Sequence, residues 1–172
     1  GDVTLTVDAS RGGKIVSYKY KDTEILSQTR MPNSFGSTFW TSPQSEWNWP
    51  PVPEYDTKPF NAEVTDGKLV LTGEKSKRFG YKVRKEFVAD TKDNAIVITY
   101  TLVNESGETR NVAPWEISRV PNGGILFFDA KEVTPANNMA GLPFVYEKKA
   151  AWYVLDEDRV NRKINADGKG WL

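Results

Sequence analysis

The residues best suited to chemistry lie in one segment that is rich in aromatic and proline side chains. It reads FWTSPQSEWNWPPVPEYD and holds three of the chain's six tryptophans, Trp40, Trp47 and Trp49. Indole rings offer flat apolar faces on which sugar rings can stack, and sites of this kind add polar groups that hold the hydroxyls. Gln44 and Asp56 are such polar groups within the segment. We therefore predict a carbohydrate platform made by these tryptophans and Gln44. The alternative is that the tryptophans cap one end of a hydrophobic core.

A second candidate is Glu116, which lies in a predicted strand over residues 111–120. Side chains alternate along a strand, so Trp115 falls on one face and Glu116 on the other, among apolar neighbours. Such surroundings raise the pKa of a carboxyl group and suit it to acid/base catalysis. The alternative is a surface carboxylate paired with a lysine. Arg119 falls on the Trp115 face, where its guanidinium could bind a hydroxyl or a carboxylate.

Glycosidase-type catalysis by Glu116 requires a second carboxylate, for which Asp56 and Asp129 are the candidates. The two carboxylates would face one cleft about 5–10 Å apart. The chain has no histidine and no cysteine, which excludes Ser-His-Asp triads, thiol nucleophiles and zinc sites built on imidazole or thiolate. No acidic loop has the spacing of a calcium site. Neither a metal nor another cofactor is predicted.

The composition narrows the possible partners. The 172 residues, of which 38 % are hydrophobic, suffice for one domain with a core. Lys plus Arg and Asp plus Glu both number 23, so no excess charge favours nucleic acid or an anionic membrane. No apolar run approaches the roughly 20 residues that a membrane-spanning helix needs. We therefore expect carbohydrate as the partner, without nucleic acid and without membrane insertion.

Alternating apolar residues, separated by short turns, must position these candidates. Asp66-Gly67 joins two such runs and is typical of a type I′ hairpin turn, whereas Arg11-Gly12-Gly13 reads as a turn and not as a phosphate loop. Strands at short, regular spacing predict an all-β fold, an antiparallel β-sandwich with little helix. The predicted strands cover residues 2–7, 14–20, 23–26, 60–65, 68–73, 81–89, 94–104, 109–120 and 125–130.

Three stretches depart from this pattern. Residues 27–59 show no alternation and hold many prolines, which predicts one long, ordered, aromatic and proline-rich loop. Lys85 interrupts the apolar series of residues 81–89, which predicts a bulge or a sheet edge. Residues 152–155 are strand-like, and 156–164 fit either a short helix or a turn and strand.

The order of these features resembles the galactose mutarotase-like (aldose 1-epimerase-like) supersandwich superfamily, and within it a branch with a Trp/Pro-rich loop. The matching segments read GGKIVSYKYKDTEIL, FGSTFWTSPQSEWNWPP and VITYTLVNESGETRNVAPWEISRV, and the resemblance covers roughly residues 3–130. It implies two large antiparallel sheets with a sugar cleft on the concave face of one. It also implies that V-N-E-S-G-E is the turn before a strand that lines this cleft.

The same resemblance implies an altered active site. Mutarotases carry a catalytic histidine in this region and a glutamate base much later, whereas here Pro114-Trp115-Glu116 occupies the corresponding place and histidine is absent. We therefore expect a carbohydrate-binding domain, with a carbohydrate-active enzyme using Glu116 and a structural or interaction domain as alternatives. Because family members are longer, residues 1–172 form either one β-sandwich domain or a piece of a longer supersandwich. The resemblance implies a periplasmic or extracellular location, and leaves the sugar and the oligomeric state open.

Overall fold

The chain is all-β, as predicted, and its strands pair in antiparallel sheets. Close contacts divide it into two compact units, Gly1–Val120 and Pro121–Leu172, and the single domain expected from the sequence stays a prediction. Each unit is described by itself. The computed structural model describes residues 1–29, 35–121, 123–129 and 145–154.

The first unit contains two sheets. In the first sheet the order is β1-β2-β4-β9 with β3 beside β2, and in the second it is β5-β6-β7-β8. The strands of the first sheet are β1 (Val3–Asp8), β2 (Lys14–Tyr20), β3 (Thr23–Glu24), β4 (Ser37–Ser42) and β9 (Ala113–Ser118). Those of the second sheet are β5 (Asn61–Thr65), β6 (Lys68–Thr72), β7 (Tyr81–Asp90) and β8 (Ala95–Asn104). A 3-10 helix, Gln44–Glu46, and a one-turn helix, α1 (Pro53–Asp56), follow β4.

The two sheets of the first unit share one hydrophobic core. Phe39 of β4 stacks on Tyr100 of β8, with ring centroids 4.7 Å apart. Along β7, every second residue from Tyr81 to Phe87 is buried, which is the period of a strand with one face inward. This contact between facing sheets is that of a β-sandwich.

Two predicted turns are present as expected. Asp66 and Gly67 have φ angles of 49° and 73°, the left-handed pair that a type I′ hairpin needs. Gly12 has a φ of 62°, and a Cβ atom on it would overlap the backbone carbonyl of Asp56. The first turn needs glycine for its backbone conformation, and the second also for space.

The prediction of one continuous loop over residues 27–59 was wrong, because β4 lies inside it. β4 is an inner strand, bordered by β2 and β9, and residues 37–41 are all buried. A strand that is covered on both faces needs no polar face, so its sequence shows no alternation. The two-residue alternation that identified other strands is therefore absent from β4 because both of its faces are covered.

The prediction for Lys85 was also wrong. β7 lies between β6 and β8, and Lys85 points into the core with 2 % of its surface exposed. Its ammonium group donates to the carbonyl oxygens of Gly12 and Gly13 over 2.6 and 3.0 Å. Burial lowers the pKa of Lys85 to about 7. This lysine fastens the Gly12 turn to the second sheet.

The described residues of the second unit form a three-stranded sheet, in which β12 (Ala150–Val154) lies between β10 (Ile125–Asp129) and β11 (Val145–Glu147). The strands predicted over 125–130 and 152–155 correspond to β10 and β12, whereas residues 156–164 lie outside the described residues. Within the described part of the chain, no helix has the length and apolar character to cross a bilayer.

Candidate functional site

The pairing of β4 with β9 decides which candidates share a face. Trp40 lies opposite Trp115, and Phe39 lies opposite Glu116. Since side chains alternate, the two tryptophans are on one face of the first sheet and Glu116 is on the other. Phe39 packs on Tyr100 of the second sheet, so the face of Glu116 is the inner one. The outer face, which carries Trp40 and Trp115, is called the tryptophan face below.

Four indole rings meet on the tryptophan face. The ring of Trp40 is at their centre, with centroid distances of 5.8 Å to Trp47, 5.9 Å to Trp49 and 5.7 Å to Trp115. The corresponding interplanar angles are 69°, 83° and 87°. Such edge-to-face packing stabilises aromatic pairs beyond their buried area. The predicted aromatic residues are therefore brought together, and Trp115 joins them.

Exposure separates these tryptophans into two roles. Trp40 and Trp47 are only 8 % and 3 % exposed and belong to the hydrophobic core, whereas Trp49 is 55 % exposed. The indole of Trp47 donates to the carbonyl oxygen of Thr41 over 2.8 Å. Pro114, which lies opposite Thr41, has no N–H to offer that carbonyl. Trp40 and Trp47 thus fit the core alternative, and only Trp49 offers a broad accessible surface.

Asp56 holds the central tryptophan in place. The indole N–H of Trp40 donates to Oδ1 of Asp56 over 2.9 Å. Asp56 is the last residue of α1, which begins at Pro53, a residue whose fixed φ suits the first turn of a helix. The carboxylate that was predicted to be catalytic is therefore bound to the ring that supports Trp49.

Two cations lie near Asp56 on this face. The guanidinium carbon of Arg119 is 5.9 Å from the ring centre of Trp40, and its Nη1 donates to Thr38 Oγ1 over 3.3 Å. Burial lowers the pKa of Arg119, and the charge of Asp56 opposes this shift. Burial likewise lowers the pKa of Lys14, again against Asp56. Arg119 is where the sequence predicted it, on the face of Trp115.

The sequence interpretation missed Lys14. The register of β1 and β2 shifts between Thr6 and Val7, so that Val16 is the extra residue of a bulge. Because of this bulge, Ile15 and Tyr18 share the inner face, and Lys14 is turned to the outer face. Simple alternation along residues 14–20 cannot reveal such a shift.

Gln44 lies at one end of the tryptophan face, beside a shallow cavity of about 490 Å³. Its side-chain amide donates to the carbonyl oxygen of Asn48 over 3.3 Å. Trp115 and Pro43 line the same cavity. Gln44 therefore borders a groove with the indole of Trp115 and not with Trp40, Trp47 or Trp49, the tryptophans with which the sequence grouped it.

Glu116 lies apart from this groove, at the mouth of a cavity between the sheets. Burial raises the pKa of Glu116, while a 3.1 Å hydrogen bond from Ser118 and the charges of Lys85 and Arg119 lower it. Glu116 nevertheless belongs to the exposed residues of β9, which agrees with a position at the mouth. Within the described residues, no second carboxylate is among the groups that shift the pKa of Glu116.

The predicted pair of catalytic carboxylates is not assembled from Glu116 and Asp56. Asp56 binds Trp40 on the outer face, and Glu116 faces inward. Asp129 is the last residue of β10 in the second unit. Among residues 1–29, 35–121, 123–129 and 145–154, no group of three or more carboxylates is arranged to hold a metal ion.

Comparison with protein-family models, with curated proteins and with solved structures finds no match to this chain. The resemblance to galactose mutarotase-like proteins therefore remains a prediction, and the geometry of the first unit has to carry the functional argument.

Proposed function

We propose that the first unit binds carbohydrate on the tryptophan face, with Trp49 as the stacking platform. The observation that carries this proposal is the exposure of Trp49, 55 % of its surface, beside the buried ring of Trp40. Exposed indoles bind the apolar face of a sugar ring because such faces combine flat shape with weakly polar C–H groups. A single sugar ring is the natural size of ligand for one indole.

The neighbouring polar groups suit the hydroxyls of such a ring. Arg119 supplies N–H donors, and the half-buried Asp56 has a second carboxylate oxygen beyond the one that binds Trp40. Gln44 offers an amide at the adjoining groove. Since Trp40 and Trp47 are packed in the core, the platform is ordered before a ligand arrives, which reduces the entropic cost of binding.

Binding without epimerisation is the better-supported form of this proposal. The chain has no histidine to serve as the general acid of a mutarotase, and Glu116 faces away from the tryptophan face. The mutarotase resemblance agrees with a sugar cleft on one face of a large sheet. This resemblance is also the reason for proposing a periplasmic or extracellular location of the protein.

Fluorescence titration with a panel of neutral and acidic glycans tests the proposal. We expect a saturable change in tryptophan emission with at least one glycan, and its loss in Trp49→Ala. Tyr20→Ala is the matched control, because Tyr20 is a similarly exposed aromatic residue, at 48 %, at the far end of β2. Absence of any response across the panel, or an unchanged affinity in Trp49→Ala, would reject carbohydrate binding at this face.

A further inference from the structure

A half-open cavity of about 360 Å³ lies between the two sheets of the first unit, on the inner side of the first sheet. Most of its wall is apolar and comes from both sheets, with Leu5 and Ile15 on one side and Ile96 and Ile98 on the other. This volume lies within the range of small-molecule sites in proteins. The space opens to solvent at one side, where Glu116 and Ser118 are exposed, so a small molecule can enter it.

Ser37 carries an unused polar group at the wall of this cavity. It lies on β4, lines the cavity and is 2 % exposed. Its hydroxyl oxygen has no hydrogen-bond partner among the described residues. A buried hydroxyl without a partner costs about 1–3 kcal/mol. Rotation of the Ser37 side chain between staggered positions about its Cα–Cβ bond would turn the buried hydroxyl into the cavity, where a ligand with a hydrogen-bonding group removes that cost.

Glu116 and Ser118 form the mouth of the cavity beside Ser37. Ser118 lies directly opposite Ser37 in the pairing of β4 with β9, and Glu116 is two residues away on the same face. Side chains in such diagonal positions are within reach of one small polar group. The hydroxyl of Ser118 donates to the carboxyl of Glu116 over 3.1 Å, which leaves the carboxyl able to accept a further bond.

The charges around the cavity argue against an ionic ligand. The charge of Lys85, which is buried on the inner side, lowers the pKa of Glu116 and so already favours its carboxylate form. An ammonium group in the cavity would be repelled by Lys85, and an anion would be repelled by Glu116. The apolar wall adds the cost of removing either ion from water. A neutral group that both donates and accepts a hydrogen bond avoids these penalties, and a hydroxyl is the smallest such group.

We propose that the cavity between the two sheets binds a small uncharged alcohol. Its hydrocarbon part fills the apolar space, and its hydroxyl accepts a hydrogen bond from Ser37 and donates one to Glu116. At the packing density of protein interiors the volume suits a ligand of roughly ten to fifteen non-hydrogen atoms. This site is separate from the tryptophan face, because it lies on the opposite side of the first sheet.

Calorimetric titration with 4-phenyl-1-butanol and with butylbenzene tests the proposal on the whole chain. The two probes share their apolar part and differ in the hydroxyl. We expect the alcohol to bind the wild-type protein about tenfold more tightly than the hydrocarbon, the difference that one satisfied hydrogen bond makes. In Ser37→Ala that preference should fall, because only the hydrogen bond to Glu116 remains, while the hydrocarbon binds as before. This variant should fold normally, since it removes a buried group that has no partner.

Ile96→Phe provides a second variant, because the larger side chain occupies part of the cavity. It should weaken the binding of both probes at least fivefold, a loss expected when a bulky ring removes ligand contacts from a pocket of this size. Three results would overturn the proposal. The first is the absence of binding by either probe, as expected for a cavity that holds only ordered water. The second is an undiminished preference for the alcohol in Ser37→Ala. The third is unchanged binding of both probes by correctly folded Ile96→Phe.

Discussion

Trp40 and Asp56 are joined by a hydrogen bond of 2.9 Å from the indole N–H to the carboxylate, across sixteen positions of the sequence. The bond ties β4, in the first sheet, to the short helix α1. Trp49 lies between these two elements in the chain and packs against the ring of Trp40. The position of the most exposed indole on the tryptophan face therefore depends on a contact that the core residues make.

Removing this contact should destabilise the first unit. Trp40→Phe keeps an aromatic ring but loses the N–H donor, and Asp56→Ala removes the acceptor. A double-mutant cycle from urea unfolding should give a coupling of about 1.5 kcal/mol, at the low end for a charged acceptor, since Asp56 is half-buried. Trp47→Phe with Asp56→Ala is the control, because Trp47 donates to Thr41 instead. A coupling between Trp47 and Asp56 as strong as that between Trp40 and Asp56 would contradict the hydrogen bond assigned to Trp40.

Burial of Lys85 should make stability depend on pH. Its pKa in the folded chain is lowered to about 7 from an ordinary value of 10.5, by burial, against the raising effect of Asp56 and Glu116. Between these pH values the unfolded chain holds a proton that the folded chain has lost. The free energy of unfolding contributed by this group therefore rises as the pH increases from about 7 towards 10.

Urea midpoints measured at several pH values from 7 to 10 check this expectation. Lys85→Met should flatten the rise of the free energy of unfolding with pH. Burial also lowers the pKa of Lys14, but that contribution is common to the wild type and Lys85→Met. Lys82→Met is the matched control, because Lys82 is on the same strand but pairs with Glu105 outside the core. If Lys85→Met keeps the full pH dependence, Lys85 is not its source.

The Gly12 turn should tolerate no side chain. Gly12 and Gly67 both have left-handed backbones, with φ of 62° and 73°, but no atom lies within 4 Å of a Cβ placed on Gly67. Gly67→Ala should therefore cost only the backbone strain, about 1–2 kcal/mol. Gly12→Ala should cost roughly 1–3 kcal/mol more, because its Cβ would overlap the carbonyl of Asp56. Equal losses in chemical unfolding would show that this close approach does not exist.

Glycan binding should respond to Arg119 and not to Glu116. Arg119→Met removes a donor on the tryptophan face and should weaken glycan binding about tenfold, the effect of losing one charged hydrogen bond. Glu116→Gln has nearly the same shape and lies on the inner face, so affinity should stay unchanged. Both are measured by the same fluorescence titration. A large loss in Glu116→Gln alone would place the sugar on the inner face of the first sheet.

Local patterns were reliable where one face of a strand is buried. β7 and β8 begin and end within one residue of their predicted ranges, and Asp66-Gly67 forms the expected type I′ turn. These elements follow from alternation and from backbone preferences, which act over a few neighbouring residues. β4 lacked that signal because both of its faces are covered. Lys85 was misplaced for a related reason, since the partners that allow its burial are carbonyls more than seventy residues earlier in the chain.

By itself, the sequence determined that the chain is an antiparallel β-protein, that chemistry based on histidine or cysteine is excluded, and that aromatic and polar residues are interleaved over residues 39–56. Only the tertiary structure decided that Trp40 and Trp47 are buried while Trp49 is exposed, and that Glu116 faces a cavity with Ser37. Composition and period are local properties of the chain. The face on which a side chain lies and the depth of its burial depend on strand register and on a bulge at Val16, which are set when distant segments pair.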